Sequence, residues 1–317
     1  MQSKKPRKIA RSHAGARRYL LKRRLKYILL AAVALALIGF LVYYALGPKN
    51  PTIIDTTPKI AIVDHLSTQY PDQTFNQTIH GILNQTGLKV DYYQSEDVTV
   101  DFYRDLPKHN YKLIIFRVHS TAESSVEDIP PFVAFFTSEN YSSIRHVSEQ
   151  KDMRVVYVKF QYDETFYFGI TPLFVTGSME GRFNDTVIIA MGCDGMKYNT
   201  MAEAFIQKGA KAYVSWNGSV SIGHTDDATI SLLRHLITEH QTVEEAVQQT
   251  INEVGPDPAD NSILLFYPDK AGTSLFLANA TMATPTVRTA RKDNDKNDGN
   301  SGTTLVPSIF TLRELWL

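Results

Sequence analysis

Two residues of this chain have side chains suited to nucleophilic chemistry, and each follows a short, mostly apolar run. Cys193 is the only cysteine among 317 residues, and it follows the run 186–191, TVIIAM, and Gly192. His119 comes directly after the run 112–118, KLIIFRV. A thiolate can attack a carbonyl carbon while an imidazole takes or returns a proton. The two residues are therefore a candidate dyad, for which the alternatives are an inert buried cysteine and a hydrogen-bonded core histidine.

The two runs belong to a regular alternation of predicted strands and helices. Both runs predict buried strands, because they are short and rich in β-branched residues. Strands are predicted over 59–64, 89–93, 112–118, 186–191 and 212–216, and helices over 74–83, 98–106, 200–208, 228–240 and 244–254. This alternation is typical of an α/β domain whose mostly parallel sheet is covered on both faces. Ligands bind at the carboxyl ends of such strands, so His119 and Cys193 are expected at that edge.

A less regular stretch, 121–184, lies between the two candidate residues. Runs at 132–136 and 155–160 predict an inserted β-hairpin beside the main sheet. Two later runs, 263–266 and 274–277, predict a pair of strands at an edge.

The charge distribution argues against a nucleic-acid partner. The formal net charge is zero, but eleven of the 33 basic residues lie in residues 1–26, which contain no acidic residue. The rest of the chain carries 22 basic and 33 acidic residues, a net charge of −11. A surface that binds nucleic-acid phosphates needs the opposite balance. The single cysteine also excludes an internal disulfide.

An uncharged stretch of twenty residues, 27–46, follows the basic segment. At a rise of about 1.5 Å per residue, a helix of this length spans about 30 Å, the thickness of a hydrocarbon core. It predicts a transmembrane helix, with residues 1–26 as a cytoplasmic tail and the main domain on the outer side. A cleaved signal peptide is the alternative, but the apolar run is long for one and no clear cleavage site follows it.

The remaining boundaries follow from composition. Residues 47–58 are a Pro- and Thr-rich linker, and 59–280 form the α/β domain. The polar stretch 281–304 is predicted to be disordered, and 305–317 is an apolar segment to which the pattern assigns no role. Six Asn-x-Ser/Thr sequons lie on the predicted outer side, which agrees with an extracellular glycoprotein. They begin at Asn76, Asn84, Asn140, Asn184, Asn217 and Asn279.

The stretch around Cys193 resembles the caspase-like cysteine peptidases, the group of caspases, gingipains, separases and CHAT domains. The segment IIAMGCDGMKYNTMAEAFIQKGAKAYVSWNGSV is similar to the CHAT pattern of a Cys turn, an A-x-x-F-x-x-x-G-A helix and a strand that ends in Ser-Trp. The similarity covers roughly 59–270 and is specific over 185–255. It implies a three-layer caspase-like sandwich in which a His ends one strand and a Cys ends the next main strand. His119 would then be the catalytic histidine and Cys193 the nucleophile, with no cofactor.

Several neighbours of the dyad become candidates through the same resemblance. The backbone N–H of Cys193 could hold an oxyanion. The residue before this cysteine is Gly192, where the family commonly has Ala or Ser. The residue after His119 is Ser120, where the family usually has Gly.

The resemblance also suggests what a substrate pocket would contain. Family members that cleave after Arg or Lys place an acid in the first pocket, and Asp194, Asp226 and Asp227 are the candidates, with Trp216 as a possible wall. Acids at a helix start can instead cap it, and a Trp at a strand end is commonly core. His224 lies near the same edge, but no paired ligand spacing predicts a metal.

The sequence therefore predicts a single-pass membrane protein with an outward-facing cysteine peptidase that cleaves a peptide or protein substrate through a Cys193 thioester. The alternative is a non-catalytic module on the same scaffold that binds a protein or ligand at the carboxyl edge of the strands. A solute-binding or flavodoxin-like domain also fits the opening strand KIAIVD, but no Gly-rich phosphate loop follows that strand.

Overall fold

A computed structural model of the chain describes residues 24–40, 57–124, 130–160 and 164–276. Its strands are β1 (Lys59–Asp64), β2 (Lys89–Tyr93), β3 (Tyr111–Arg117), β4 (Ser120–Glu123), β5 (Phe132–Asn140), β6 (Val155–Val158), β7 (Tyr167–Ile170), β8 (Thr186–Ala190), β9 (Ala210–Trp216) and β10 (Leu264–Tyr267). Its helices are α1 (24–40), α2 (Gln73–Leu83), α3 (Val100–Asp105), α4 (Val147–Lys151), α5 (Pro172–Gly177), α6 (Thr200–Gln207), α7 (Ile222–Leu233) and α8 (Val243–Val254).

The main sheet has six strands in the order β10-β9-β8-β3-β1-β2. All neighbouring pairs are parallel except β10 with β9. Side chains of one strand alternate between two apolar clusters: Ile60 and Ile62 pack with α2, α7 and α8, whereas Ala61 and Val63 pack with α3, α5 and α6. The predicted α/β architecture, with a mostly parallel central sheet between two helical layers, is therefore confirmed.

A second sheet lies between β3 and β8 in the chain. It is antiparallel, with the order β4-β5-β7-β6, where the sequence predicted only a hairpin. The pattern missed β4 and β7 because each has only four residues and neither shows a polar–apolar alternation. Phe135 and Phe168 of this sheet join the main core, so the insertion is packed against the domain and is not a free arm.

Two predicted boundaries near the C-terminal part of the domain need correction. Helix α7 begins at Ile222, six residues before the predicted start, and a π-helical turn, Arg234–Thr238, follows it. The described part of the late run, 274–276, does not pair with β10, and its Leu275 makes a single bridge to Thr242. The capping box of Thr242 and Glu245 at the start of α8 is present as predicted.

The N-terminal helix α1 exposes its apolar side chains, including Leu29 and Leu35. Among the described residues, no helix combines the length and the apolar character needed to cross a membrane. The last part of the predicted span, 41–46, lies outside the described residues. So do the tail 1–23, most of the linker, and the whole of 277–317.

The sequons differ in accessibility. Asn84, Asn140, Asn184 and Asn217 are exposed, whereas Asn76 is half-buried. The Asn76 side-chain nitrogen donates a hydrogen bond to the Tyr92 hydroxyl at 3.2 Å. Asn76 is therefore the least accessible glycosylation site among the described sequons. Asn279 lies outside the described residues.

Candidate active site

The main sheet places His119 and Cys193 after neighbouring strands. Strands β3 and β8 are paired, and their last matched residues are Phe116 and Ala190. His119 and Cys193 each lie three residues beyond this pair, and the Met191 N–H still donates to the Phe116 carbonyl at 2.9 Å. Both residues therefore lie at the carboxyl edge, where α/β domains bind ligands.

Close contacts between the two strand ends fix their relative position. The Ser120 hydroxyl donates to the Cys193 carbonyl at 2.5 Å. A Cβ on Gly192 would lie 2.5 Å from the Val118 carbonyl oxygen and would also collide with the Ser120 hydroxyl. Only glycine allows the two chain ends to approach this closely. Ser120 and Gly192, two departures from the family pattern, thus fit one another.

We expect Gly192→Ala to destabilise the domain by about 1–3 kcal/mol, because the added methyl group meets backbone that cannot move aside. Gly223→Ala is the matched control: no atom lies within 4 Å of its added Cβ. Gly223 is an exposed position of α7, so this change should be neutral or stabilising by up to about 1 kcal/mol. Urea unfolding of both variants measures the difference, and equal effects would show that the strand ends are not tightly packed.

The chain turns sharply after Cys193. Asp194 has a left-handed backbone with φ of 59°, and its N–H donates to the Gly218 carbonyl at 2.8 Å. The Met196 N–H donates to the Trp216 carbonyl at 2.7 Å, which ties the turn to the end of β9. In the described part of the chain, the N–H of Cys193 donates to no other residue and contacts its own sulfur, so an incoming oxyanion would compete only with that contact.

The thiol itself is half-buried and held by backbone. Its sulfur accepts the Val220 N–H at 3.4 Å and lies 3.7 Å from the Val220 carbonyl oxygen. Burial raises the pKa of the Cys193 thiol above its ordinary value, and the carboxylates of Asp194 and Asp260 add to this effect. The thiol is therefore protonated at neutral pH.

The His119 ring lies among aromatic side chains. Its centroid is 4.6 Å from that of Phe160 and about 6 Å from the rings of Phe136, Tyr70 and His65. Burial lowers the pKa of His119 to about 4, and the charges of His65 and Arg117 act in the same direction. The imidazole is therefore neutral at neutral pH.

The structure brings His119 and Cys193 to one edge without joining them. Among the described residues, the Cys193 sulfur has hydrogen-bonding contacts with no other residue than Val220. In the same part of the chain, the only side-chain hydrogen bond of His119 is with Gln69, at 3.1 Å. The two pKa shifts run against a thiolate–imidazolium pair. The resting site thus holds a neutral thiol and a neutral base.

Beside the edge lies a buried charge cluster that the sequence analysis missed. The Arg117 guanidinium donates to Asp64 at 3.0 Å and to both carboxylate oxygens of Asp226 at 2.9 Å. All three side chains are almost fully buried. The available signal was an arginine inside an otherwise apolar strand, which requires a buried partner.

The cluster corrects the interpretation of Asp226. This residue lies inside α7, so it does not cap the helix, and its carboxylate is occupied by Arg117. Asp227 is exposed on the same helix and does not cap it either, because the N-cap position is Ser221.

The other predicted neighbours have ordinary structural contacts. Asp194 lies 3.4 Å from the Lys197 ammonium. Trp216 is buried and donates its indole N–H to the Thr225 hydroxyl at 2.9 Å, so it is part of the core. His224 contacts the Gly255 carbonyl at 3.2 Å, and the described residues contain no group of three or more side chains placed to hold a metal ion.

No protein-family model matches the chain, and no curated protein is significantly similar to it.

Proposed function

We propose that this protein is a caspase-like cysteine peptidase in which Cys193 is the nucleophile and His119 the general base. The observation that carries the proposal is that β3 and β8 are neighbouring strands. His119 and Cys193 each follow by three residues the last matched pair of these strands. This is the order that the family resemblance implies, with a His ending one strand and a Cys ending the next main strand. The helical layers on both sheet faces support the three-layer caspase-like fold.

The chemistry starts from neutral groups. When a peptide carbonyl reaches Cys193, neutral His119 takes the thiol proton and the sulfur forms a bond to the carbonyl carbon. The resulting oxyanion accepts a hydrogen bond from the N–H of Cys193. The imidazolium then gives its proton to the leaving amine as the C–N bond breaks, leaving a thioester. Water attacks the thioester with His119 again as base, and the proton returns to the departing sulfur.

Catalysis requires the sulfur and the imidazole to come together. The sulfur must leave a weak contact with the Val220 backbone, and catalytic hydrogen bonds often tighten only when substrate binds. The proposed substrate is therefore a peptide or protein segment that lies along the carboxyl edge of β3 and β8. The predicted anchor over 27–46 would hold this edge on the outer side of a membrane.

A binding module on the same scaffold is the second candidate. It is favoured by the thiol contacts with Val220 and by pKa shifts that oppose ionisation of either group. In this case the same edge would bind a peptide without cleaving it.

Peptide-linked electrophiles distinguish the two functions. We expect a library of peptidyl acyloxymethyl ketones to modify Cys193 in the native full-length chain, and His119→Ala to slow this reaction by about 100-fold or more. Small alkylating agents such as iodoacetamide should react slowly at pH 7 with both proteins, because the thiol is protonated. If no member of the library modifies native Cys193 while the unfolded chain reacts readily, the binding module is the correct function.

A further inference from the structure

Among the residues that the structure describes, the one hydrogen-bonding partner of the His119 ring comes from the loop between β1 and α2. The Gln69 side-chain oxygen lies 3.1 Å from Nε2 of His119. The nearby rings of Phe160, Phe136 and Tyr70 pack against the imidazole but offer it no hydrogen bond. The hydrogen bond of one ring nitrogen sets which nitrogen carries the proton of the neutral imidazole, and Gln69 is the partner of Nε2.

The loop that carries Gln69 is fixed to the buried charge cluster. The Arg117 guanidinium donates to the Tyr70 carbonyl at 3.1 Å, and the Tyr70 N–H donates to the Leu66 carbonyl at 2.7 Å. Ser67 accepts the Ser95 N–H at 2.9 Å. The side chain of an exposed glutamine ordinarily has many conformations. Here the contacts of Ser67 and Tyr70, before and after Gln69 in the loop, hold its backbone next to His119.

We propose that Gln69 is the positioning residue of the dyad: its carbonyl accepts the Nε2 proton of His119 and leaves Nδ1 as the base that takes the Cys193 proton. This inference rests on the proposed peptidase function. A carboxamide can hold this tautomer without adding a charge, so it does not raise the pKa of the imidazole as a carboxylate would.

The first test reads the tautomer directly and does not depend on activity. The full-length chain is labelled with ¹⁵N-histidine, and the His119 signals are assigned by their loss in His119→Asn. At pH 7 we expect a protonated Nε2 and an unprotonated Nδ1. Gln69→Leu should move both ¹⁵N shifts toward the averaged values of mixed tautomers, whereas Gln77→Leu, an exposed glutamine on α2, should leave them unchanged.

The second test adds a charge at the same position. In Gln69→Glu the carboxylate favours the imidazolium, and we expect an NMR titration to show the pKa of His119 raised by roughly one pH unit. The acid limb of the kcat/KM profile should move by the same amount, and Gln69→Leu should lower kcat by about tenfold with little change in KM. A residue-69 side chain that does not contact His119 in solution would leave the acid limb in place.

The outcomes separate this inference from the peptidase function. A protonated Nδ1 in the wild type, or shifts that Gln69→Leu leaves unchanged, would overturn the role of Gln69 even if Cys193-dependent hydrolysis is found. Conversely, the expected tautomer in a protein that hydrolyses no peptide would overturn the peptidase function and leave the Gln69–His119 assignment standing.

Discussion

Cys193→Ala should abolish peptide hydrolysis while the domain remains folded. The proposed nucleophile has no substitute at this edge, because Cys193 is the only cysteine of the chain. Removing a nucleophile from a catalytic unit of this kind lowers kcat by at least about 10³-fold. Among the described residues, both hydrogen-bonding contacts of the sulfur with another residue are to Val220, and the half-buried side chain packs at the margin of the core, so the stability cost should be about 1 kcal/mol.

Hydrolysis of a peptide library by the full-length chain, followed by mass spectrometry, measures this loss. Ser221→Ala is a suitable control, since Ser221 is exposed at the same edge and its side chain makes no capping hydrogen bond. This control should keep wild-type activity. Equal hydrolysis by the wild type and Cys193→Ala would show that any observed cleavage comes from another source.

The pH profile of the same reaction follows from the two pKa shifts. The active form has neutral His119 and protonated Cys193. The value of kcat/KM should therefore rise through the pKa of His119, at about 4, and fall only above the ordinary thiol value. An acid limb near pH 6.5, the ordinary histidine value, would mean that the aromatic surroundings of His119 do not keep it neutral.

Local patterns were enough to predict the elements that present the dyad. The runs before His119 and Cys193 consist mainly of apolar residues that only a doubly covered strand can bury, so β3 and β8 could be recognised without the structure. The capping box of α8 is equally local, because Thr242 and Glu245 are three residues apart. The sequence therefore located the carboxyl edge of the sheet and placed both residues on it.

The environment of the dyad was beyond the reach of such patterns. The protonation state of His119 depends on Phe136, Phe160 and His65, which come from three separate segments of the chain. The role of Ser120 also appears only in three dimensions, where its hydroxyl donates to the Cys193 carbonyl. At Asp226 the helical period was obscured by polar residues in the first turns of α7, so a buried ion-pair partner resembled a helix cap.

Arg117→Met should destabilise the domain more than Gly192→Ala or Cys193→Ala. Arg117 bridges Asp64 and Asp226, which lie 53 and 109 residues away in the chain. Breaking a buried pair by removing one partner costs about 3–5 kcal/mol, because the remaining charges stay in a low-dielectric interior. That is a large part of the roughly 5–15 kcal/mol that stabilises a typical domain.

Urea unfolding of the variant at pH 7 measures this cost, with Lys108→Met as the control. Lys108 contacts two acids that are about half exposed, Asp105 and Glu180, so its removal should cost less than about 1 kcal/mol. The combined variant Arg117→Met, Asp64→Asn, Asp226→Leu should regain much of the lost stability, since no unpaired charge is left. A combined variant no more stable than Arg117→Met would instead assign the loss to altered packing.

The pH dependence of this stability loss shows whether an unpaired buried charge or missing side-chain volume causes it. Burial raises the pKa of Asp226 even with Arg117 beside it. Without the guanidinium, the pKa should rise further, because protonation removes the unpaired charge from the protein interior. The folded variant then binds more protons than the unfolded chain, so its stability rises as the pH falls through this raised pKa. The loss caused by Arg117→Met should therefore be smaller at pH 5 than at pH 8. A loss caused by the missing side-chain volume would be the same at both.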